Sequence, residues 1–539
     1  MRTRMAHSLT KIRRLISRSE WAVRLLSLPK SIKESSQSGL LLIQIDGLAR
    51  HQLESALKKG KMPFLQTLLK SGEYQLQSMY SGLPSSTPAV QGELFYGVRS
   101  AVPAFSFLDR RTNRLCSMLE RDSATLIERK LQEHNEGIFT GGSVYSDIYS
   151  GGAGESHYCP GIPGMGLRKH SISKVSLILL LFLHIVAVFR IGILMLMEFV
   201  LAIIDCLRGL IAKEKLFAEL IFVATRVGIC ILLRELITFG AKVDLARGLP
   251  IIHLNFLGYD EQAHRRGPSS AFAHWTLKGI DRSIKHLWQA AHRSRAVHYD
   301  LWIYSDHGQQ DVDSYLEKTG QLVGDAVVEA VQSQRNSGQS MSPLPPFTEY
   351  GVQLERSRWL GIPFPINDLI YGGSEADDSI IVTAKGPIGH VYLNQELPNV
   401  DINNLAADLV ASYHIPLVMV KDGDTRVKAW TSSGLYSLPE DAAIVLGKNH
   451  PFLQEVTDDL VQLVHHENAG DLVISGWSPS STKSLSFPLE NGAHAGPGTE
   501  ETCAFALLPL NAKSPRPQSP YLRPHDLFLM IKDFRERKC

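Results

Sequence analysis

The sequence has few cysteines for its length, and none of them lies in a pattern that binds metal through thiolates. The six cysteines are scattered over 539 residues, and no two of them form a CxxC pair. A thiolate zinc site or a disulfide framework shows regular cysteine spacing. The sequence therefore predicts buried or free thiols at Cys116, Cys159, Cys206, Cys230, Cys503 and Cys539.

The sequence also lacks an excess of charge of either sign. Its 56 lysines and arginines nearly balance its 54 aspartates and glutamates, which leaves a formal net charge of +2. Proteins that bind nucleic acid through the phosphate backbone usually carry a clear basic excess. We therefore expect no specific nucleic-acid binding.

No uninterrupted apolar run follows the basic residues at the N terminus, as a signal peptide would require. The spacing in residues 1–37 instead predicts a basic amphipathic segment. Two alternatives stay open for it: the segment lies on an anionic membrane surface, or it packs on the protein through one face.

Short apolar runs that end in turn residues are typical of buried parallel strands. Helical segments, such as 54–71 and 271–294, lie between these runs, and this alternation predicts a largely parallel α/β sheet. Ligands of such sheets gather beyond the carboxyl ends of the strands. The predicted core strands are 40–45, 250–257, 300–304 and 471–475.

The same pattern divides the chain into segments. We expect a catalytic α/β core that is interrupted by an apolar helical insertion and by a smaller α+β subregion. The predicted bounds are 1–37 for the basic segment, 38–165 and 246–345 for the first two parts of the core, 166–245 for the insertion, 346–470 for the subregion, and 471–539 for the last core part.

The insertion contains two apolar stretches, 175–204 and 216–236, which predict two long helices. A membrane span needs about 20 mostly apolar residues, and a charge at mid-bilayer costs several kcal/mol. Arg190 and Glu198 interrupt the first stretch and lie on roughly one helix face. The alternatives are packing on the enzyme, embedding in a membrane surface, and a transmembrane hairpin. We therefore expect the protein to be membrane-associated, or cytoplasmic if the insertion is not embedded in a membrane.

Three aspartates and three histidines lie at or near the predicted strand ends. Each motif is common by itself, but together they offer two sets of oxygen and nitrogen ligands without thiolates. Such sets suit zinc, with manganese as the alternative. The candidate ligands of two divalent ions are Asp46, Asp260, His264, Asp306, His307 and His494.

Thr87 is the candidate nucleophile. Pro88 favours a helix that starts here, and the N–H groups of a helix N terminus attract phosphate. Its hydroxyl needs a metal or a base for activation. Two divalent ions carry four positive charges against three aspartates, so an ionised Thr87 would balance the site. The alternative is a threonine that only caps the helix.

These motifs, in this order, resemble the alkaline phosphatase superfamily, in particular its type I phosphodiesterase/nucleotide pyrophosphatase branch. The matching pieces are 45–47, 86–88, 259–264, 305–308 and 492–494. The resemblance implies an alkaline-phosphatase-like fold, with a mostly parallel central sheet flanked by helices. It also implies hydrolysis of a phosphoester, with a diester or a pyrophosphate as the expected substrate.

The resemblance further implies a role for each residue. One metal is held by Asp46, Asp306 and His307 and ionises Thr87. The other metal is held by the remaining three ligands, Asp260, His264 and His494. Thr87 attacks phosphorus to give a phospho-threonine, which water then hydrolyses.

Departures from the family pattern narrow the reaction. Sulfatases of the superfamily carry a Cys or Ser followed by x-Pro-x-Arg, whereas Pro-Ala-Val-Gln follows Thr87. The further Arg and third metal site of many monoesterases are not identifiable. A phosphomonoesterase, a phospho-group transferase acting on a lipid-linked substrate, and a membrane-associated scaffold without catalysis stay open. Gln91, Glu93 and Tyr259 lie near the site in sequence and either contact substrate or are structural.

Overall fold

A computed structural model gives the fold of the chain. It describes residues 18–30, 38–160, 185–211, 228–294, 297–336, 347–350, 380–393 and 400–536.

A mixed eight-stranded sheet forms the centre of the protein. Seven strands run in one direction, and Cys503–Pro509 runs antiparallel to both of its neighbours. The middle strands are buried along almost their whole length, because helices cover both faces. In spatial order the strands are Tyr521–Leu522, Tyr74–Tyr80, Cys503–Pro509, His298–Tyr304, Ser38–Ile45, Ile251–Phe256, Ser143–Tyr145 and Glu155–His157.

A second, seven-stranded sheet has its own apolar core. It contains the strand Leu472–Ser475, which pairs antiparallel with Ile388–Leu393 and Leu417–Asp422. The prediction that 471–475 is a core strand is therefore wrong, because its partners belong to the second sheet. The order is Phe347–Tyr350, Ile380–Lys385, Ile388–Leu393, Leu472–Ser475, Leu417–Asp422, Arg426–Thr431 and Gly434–Leu438.

The remaining strands of the described residues form two small sheets. Gln310–Ser314 lies between Ser484–Ser486 and Gly492–Ala493, and Ser106–Asp109 pairs with Arg114–Ser117. The first of these sheets connects the end of the strand His298–Tyr304 to the loop that carries His494. It therefore brings together residues that are distant in sequence.

The α-helices of the described chain lie mainly between strands, as the alternating pattern predicts. The predicted helix 54–71 is divided in two near Gly60, which has a φ of 63°, and Pro63 starts the second half. The α-helices are Arg18–Leu25, Arg50–Lys58, Pro63–Lys70, Thr87–Tyr96, Arg121–His134, Ile185–Ile211, Arg234–Arg247, Gly258–Arg266, Ala271–Arg293, Tyr315–Thr319, Val323–Asn336, Ile402–Ala411, Leu453–His465 and Pro524–Glu536, with π-helical turns at Gly228–Leu233 and Ala443–Gly447.

The predicted insertion of two long apolar helices is not supported. One long apolar helix, Ile185–Ile211, is present. Part of the second stretch, 216–227, lies outside the described residues, and the rest forms the π-helical turn and the start of the mixed-polarity helix Arg234–Arg247. Over the ranges that the structure describes, no helix is long and apolar enough to cross a membrane.

Candidate metal centre

Three parallel strands deliver the aspartates to one edge of the central sheet. Asp46 directly follows Ser38–Ile45, and Asp306 lies two positions after the end of His298–Tyr304. Asp260 lies in the first turn of the helix Gly258–Arg266, just after Ile251–Phe256. These strands are direct neighbours, so their carboxyl ends meet at one place.

The first group of candidate ligands consists of Asp46, Asp306 and His307, all buried. His307 Nε2 lies 3.3 Å from Asp306 Oδ2 and 3.7 Å from Asp46 Oδ1. One donor atom of each residue lies within 4.8 Å of the donors of the others. The structure thus brings together the three residues that were predicted to hold one metal.

The second group contains Asp260, His307 and His494, with donor atoms again within 4.8 Å of one another. His264 Nε2 lies 3.3 Å from Asp260 Oδ2, and His494 Nε2 lies 3.8 Å from Asp260 Oδ1. The rings of His307 and His494 stack with centroids 3.9 Å apart. His307 therefore belongs to both groups, whereas the predicted ligand His264 contacts Asp260 but is a member of neither group.

A contact on the Nδ1 atom of each histidine leaves Nε2 directed at the aspartates. Nδ1 of His307 lies 3.0 Å from the Gly308 carbonyl, and Nδ1 of His494 lies 2.8 Å from the Ser85 carbonyl. Nδ1 of His264 lies 2.8 Å from Glu490 Oε2. Such outer contacts fix the tautomer and the ring orientation of metal-binding histidines.

The buried charges fit divalent cations. Burial, together with Asp306 and Asp260, holds the pKa of Asp46 well above its usual range. Burial and Asp260 raise the pKa of Asp306 to about 7. Asp306 Oδ2 and His264 Nε2 are buried without a hydrogen-bond partner. A divalent ion would stabilise the carboxylates and use these atoms as ligands.

The histidines carry opposite shifts. Burial disfavours the charged form of His264, but the carboxylates of Asp260 and Glu490 outweigh it and raise the pKa of His264 to about 10. Burial and the adjacent His307 hold the pKa of His494 well below its usual value, so His494 is neutral and ready to donate a lone pair.

Gly47 explains the Asp-Gly pair of the first strand end. Its φ is 68°, a conformation that L side chains rarely adopt, and a Cβ atom here would collide with the Asp260 carboxylate. Its N–H lies 3.3 Å from Asp306 Oδ1 and donates to it. The glycine therefore lets the strand end approach both groups of ligands.

Thr87 is the first residue of the helix Thr87–Tyr96, after Ser86 at the N-cap position. Thr87 Oγ1 lies 3.5 Å from Asp46 Oδ1 and 3.4 Å from His307 Nε2. The hydroxyl therefore faces the first group of ligands from a helix N terminus. This is the position that the sequence predicts for the nucleophile.

The structure adds residues that the sequence patterns do not single out. Asn255 Nδ2 donates to Asp46 Oδ2 at 2.7 Å, and Gln309 Nε2 donates to Asp260 Oδ1. Glu490 lies four positions before His494, but its contact with His264 becomes visible only in three dimensions. Of these three residues, only Asn255 could have been suspected from the sequence, because it lies near the end of a predicted strand, shortly before Asp260.

The loop that carries His494 is fastened to the loop before Thr87. Ser85 Oγ accepts from Ala495 N–H and donates to the Gly496 carbonyl, each at 3.0 Å. The buried Glu501 accepts from two N–H groups of the same loop. These contacts join the loop before Thr87 to the loop of the second group of ligands.

Three residues that lie near the ligands in sequence make contacts within the protein and are not among the residues that line the cavity described below. Gln91 contacts Gln44 and Asp147 in the core, and Tyr259 donates to the Pro268 carbonyl. Glu93 forms a buried ion pair with Arg523.

A cavity of about 100 Å³ opens beside Thr87. Its lining includes the candidate ligands Asp46, Asp260, His264 and His494. The lining also includes apolar side chains, namely Phe105, Leu119, Ile148, Pro160 and Leu257.

The α/β fold, the strand-end carboxylates and the facing histidines define an enzyme with a candidate divalent-metal site. Residues 246–412 match the family model described as type I phosphodiesterase/nucleotide pyrophosphatase. The match confirms the resemblance that the motifs suggest and the prediction of a phosphodiesterase/phosphatase-type enzyme. No curated protein sequence matches the chain significantly.

Two solved structures are similar to the chain over most of its length. A phosphonoacetate hydrolase from Sinorhizobium meliloti, in complex with phosphonoformate, is 15% identical, with a TM-score of 0.44, and the match covers 93% of this chain and 96% of that one. A murine ectonucleotide pyrophosphatase/phosphodiesterase 5, inactive and in complex with AMP, is 12% identical, with a TM-score of 0.47 and coverages of 92% and 95%.

Proposed function

We propose that the protein hydrolyses phosphodiester or pyrophosphate bonds through a phospho-Thr87 intermediate, with two divalent metal ions. The observation that carries the proposal is the position of Thr87 Oγ1, 3.5 Å from Asp46 Oδ1 and 3.4 Å from His307 Nε2. A hydroxyl among buried metal-type ligands, at a helix N terminus and on a cavity wall, suits attack on phosphorus.

The reaction takes two displacements at phosphorus. Thr87 Oγ forms a bond to phosphorus while the bond to the leaving oxygen breaks, and water then cleaves the Oγ–phosphorus bond. Bound divalent ions would lower the pKa of the Thr87 hydroxyl and of water, and would offset charge on the leaving oxygen. Asp46, Asp306 and His307 would hold the ion beside Thr87, and Asp260, His264 and His494 the other.

Other residues of the chain would position the phosphoryl group and the metal ligands. The N terminus of the helix Thr87–Tyr96 offers N–H groups to the phosphoryl oxygens. Glu490 orients His264, and Ser85 orients His494. His307, which stands between the two groups, would fix the spacing of the two ions.

A chelation experiment tests the proposed reaction. We expect the purified protein to cleave a 4-nitrophenyl phosphodiester faster than 4-nitrophenyl phosphate. EDTA treatment should abolish both activities, and added Zn²⁺ or Mn²⁺ should restore them. Metal analysis should give two equivalents per chain. A protein that binds no metal and cleaves neither ester would be the non-catalytic scaffold instead.

We also propose that the helix Ile185–Ile211 attaches the enzyme to a membrane surface, without spanning it. Its exposed apolar residues recur every three or four positions and so share one side. Arg190 pairs with Glu235, and Glu198 is buried. The exposed residues of this stripe include Ile185, Val188, Phe189, Ile193, Leu196, Met197, Val200 and Ile203.

Vesicle sedimentation tests the attachment. The protein should sediment with phosphatidylcholine vesicles, and addition of an anionic lipid tests a contribution from the basic residues 1–37. The double variant Phe189→Ser/Leu196→Ser should stay in the supernatant. Leu435→Ser removes a similarly exposed apolar side chain from the second sheet and should still sediment. If wild type and both variants stay in solution, the attachment does not exist.

A further inference from the structure

Several polar side chains in the lining of the cavity beside Thr87 have unsatisfied hydrogen-bonding atoms. Apart from the candidate metal ligands, the lining residues Ser86, Ser146 and Asn255 each have such an atom. Ser86 Oγ, Ser146 Oγ and Asn255 Oδ1 are buried and have no hydrogen-bond partner in the part of the chain that the structure describes. Buried polar groups are normally hydrogen-bonded, so unsatisfied groups in a cavity wall are candidate contacts for a bound molecule.

Ser146 also has an unfavourable backbone conformation. It follows the strand Ser143–Tyr145 directly, and its φ is 63°. Residues other than glycine are uncommon in this left-handed region, and such conformations concentrate at functional sites. Glycine would suit this position better, so the serine hydroxyl needs an explanation other than the turn itself.

Contacts with the surrounding protein hold this turn in place. Ser146 N–H donates to the His157 carbonyl at 2.8 Å. The next residue, Asp147, is buried, and its Oδ2 lies 2.8 Å from His253 Nδ1. The position of Ser146 is therefore set before any substrate binds.

Gln91 connects the turn to the helix of the nucleophile. Thr87 and Gln91 lie one turn apart on the same helix and therefore share a face of it. Gln91 Nε2 donates to Asp147 Oδ1, and Gln91 Oε1 accepts from Ile148 N–H, both at 2.8 Å. These contacts join the turn that carries Ser146 to the helix face that carries Thr87.

We propose that Ser146 is a further catalytic residue, whose Oγ–H donates a hydrogen bond to a non-bridging oxygen of the phosphoryl group that Thr87 attacks. A donor that is already in position stabilises charge on the reacting group without a reorganisation cost during the reaction. The inference rests on the proposed function and extends it, because it assigns a side-chain donor to the phosphoryl group in addition to the metal ligands and the helix N terminus.

Removal of the hydroxyl tests the proposal, with methyl 4-nitrophenyl phosphate as the substrate and Zn²⁺ supplied. Ser146→Gly and Ser146→Ala should each lower kcat/KM by about tenfold to a hundredfold, which corresponds to the loss of a hydrogen bond to a charged group. The melting temperature of Ser146→Gly should change little, because glycine adopts a φ of 63° freely. A serine that only stabilises the turn would lower the melting temperature when it is replaced.

Sulfur substitution at phosphorus tests which atom the hydroxyl contacts. The two enantiomers of methyl 4-nitrophenyl phosphorothioate carry sulfur in place of one or the other non-bridging oxygen. Sulfur is a weak hydrogen-bond acceptor. Loss of the Ser146 hydroxyl should therefore matter much less for the enantiomer that places sulfur at Ser146, whereas the other enantiomer should lose about as much as the oxygen ester.

Ser117→Ala is the matched control. Ser117 Oγ is another buried serine hydroxyl without a hydrogen-bond partner among the described residues, and Ser117 is not among the residues that line the cavity. This variant should leave kcat/KM unchanged for the ester and for both phosphorothioates.

The outcomes are distinct. An unchanged kcat/KM in the Ser146 variants, or equal losses on the ester and on both enantiomers, would overturn the role of Ser146 while leaving the hydrolase intact. A Ser146→Gly protein that does not fold, or that melts well below wild type, would show a structural role and would overturn it as well. If wild type does not cleave one of the enantiomers, the ester and the melting temperature decide. Wild type that does not cleave the oxygen ester with metal supplied would contradict the proposed function itself.

Discussion

Thr87→Ala should lose at least about 10³-fold in kcat on any phosphodiester substrate, while still binding two metal ions. The loss is large because the attacking oxygen itself is removed, and removal of a covalent nucleophile leaves only positioning and electrostatic stabilisation. The side chain is small and its hydroxyl makes long contacts of 3.4 and 3.5 Å to His307 and Asp46, so folding should be little affected. Steady-state kinetics combined with metal analysis measures both properties.

Two further variants make this result specific. Thr87→Ser keeps the hydroxyl and should retain measurable activity. Thr457→Ala removes another buried threonine hydroxyl, which donates to the Leu453 carbonyl within the helix Leu453–His465. This control variant should keep full activity. Full activity in Thr87→Ala would exclude the phospho-threonine mechanism.

Asp306→Asn should have the second large effect, on metal content and activity together. The substitution preserves shape but removes one of three carboxylates that offset the charge of the ions. Asp306 Oδ2 faces His307 Nε2 at 3.3 Å in the first group of ligands. We expect fewer than two tightly bound metal ions and a fall in kcat/KM of at least about 10²-fold, since even outer partners of metal ligands are worth 10–100-fold.

The same variant should stabilise the metal-free protein. Burial and Asp260 raise the pKa of Asp306 to about 7 in the folded state, above its unfolded value of 3.8. Ionised Asp306 therefore destabilises the folded metal-free form, fully above about pH 7 and progressively less as pH falls toward 4. Metal-free Asp306→Asn should melt above metal-free wild type at pH 8, with a smaller difference at pH 5.

A lower melting temperature for metal-free Asp306→Asn than for metal-free wild type at pH 8 would show that the ionised carboxylate does not destabilise the metal-free protein. Asp313→Asn is the matched control. Asp313 is more exposed, and Lys318 holds its pKa below the usual value, so this variant should lose a little stability instead.

Strand-end positions in the sequence predict which side chains lie close together better than they predict the sheets around them. Asp46 and Asp306 follow apolar runs, and the strands before them prove to be parallel neighbours, so position at a strand end was enough to bring them together. The run at 471–475 has the same appearance but pairs in the second sheet. A buried strand has the same sequence pattern in either sheet, because the strands that pair with it come from distant segments of the chain.

Two features of the site could be found only in three dimensions. His307 has donor contacts to both groups, whereas the family resemblance implies that it holds one metal. Ser146 lines the same cavity as Thr87 but follows a different strand and shares no motif with it. Spacing along the chain detects residues that share an element, such as Asp260 and His264, but not residues that meet across a cavity.

The apolar region 175–236 shows a different limit. Hydropathy identified the long apolar helix Ile185–Ile211 but could not tell which side of it faces the protein. The contact between Arg190 and Glu235 pairs a charged side chain of the helix with the rest of the protein, while apolar side chains of the helix are exposed. A surface helix usually has the reverse arrangement, with its apolar side against the protein. That reversal depends on a partner 45 positions away, which a local pattern cannot reveal.

The stereochemical course at phosphorus tests the central claim most directly. A phosphodiester made chiral at phosphorus with oxygen isotopes and sulfur would be hydrolysed in labelled water, and the configuration of the product determined. Attack by Thr87 followed by attack of water comprises two in-line displacements, each with inversion, so the account predicts net retention. Net inversion would show a single displacement by water and would contradict Thr87 as the nucleophile.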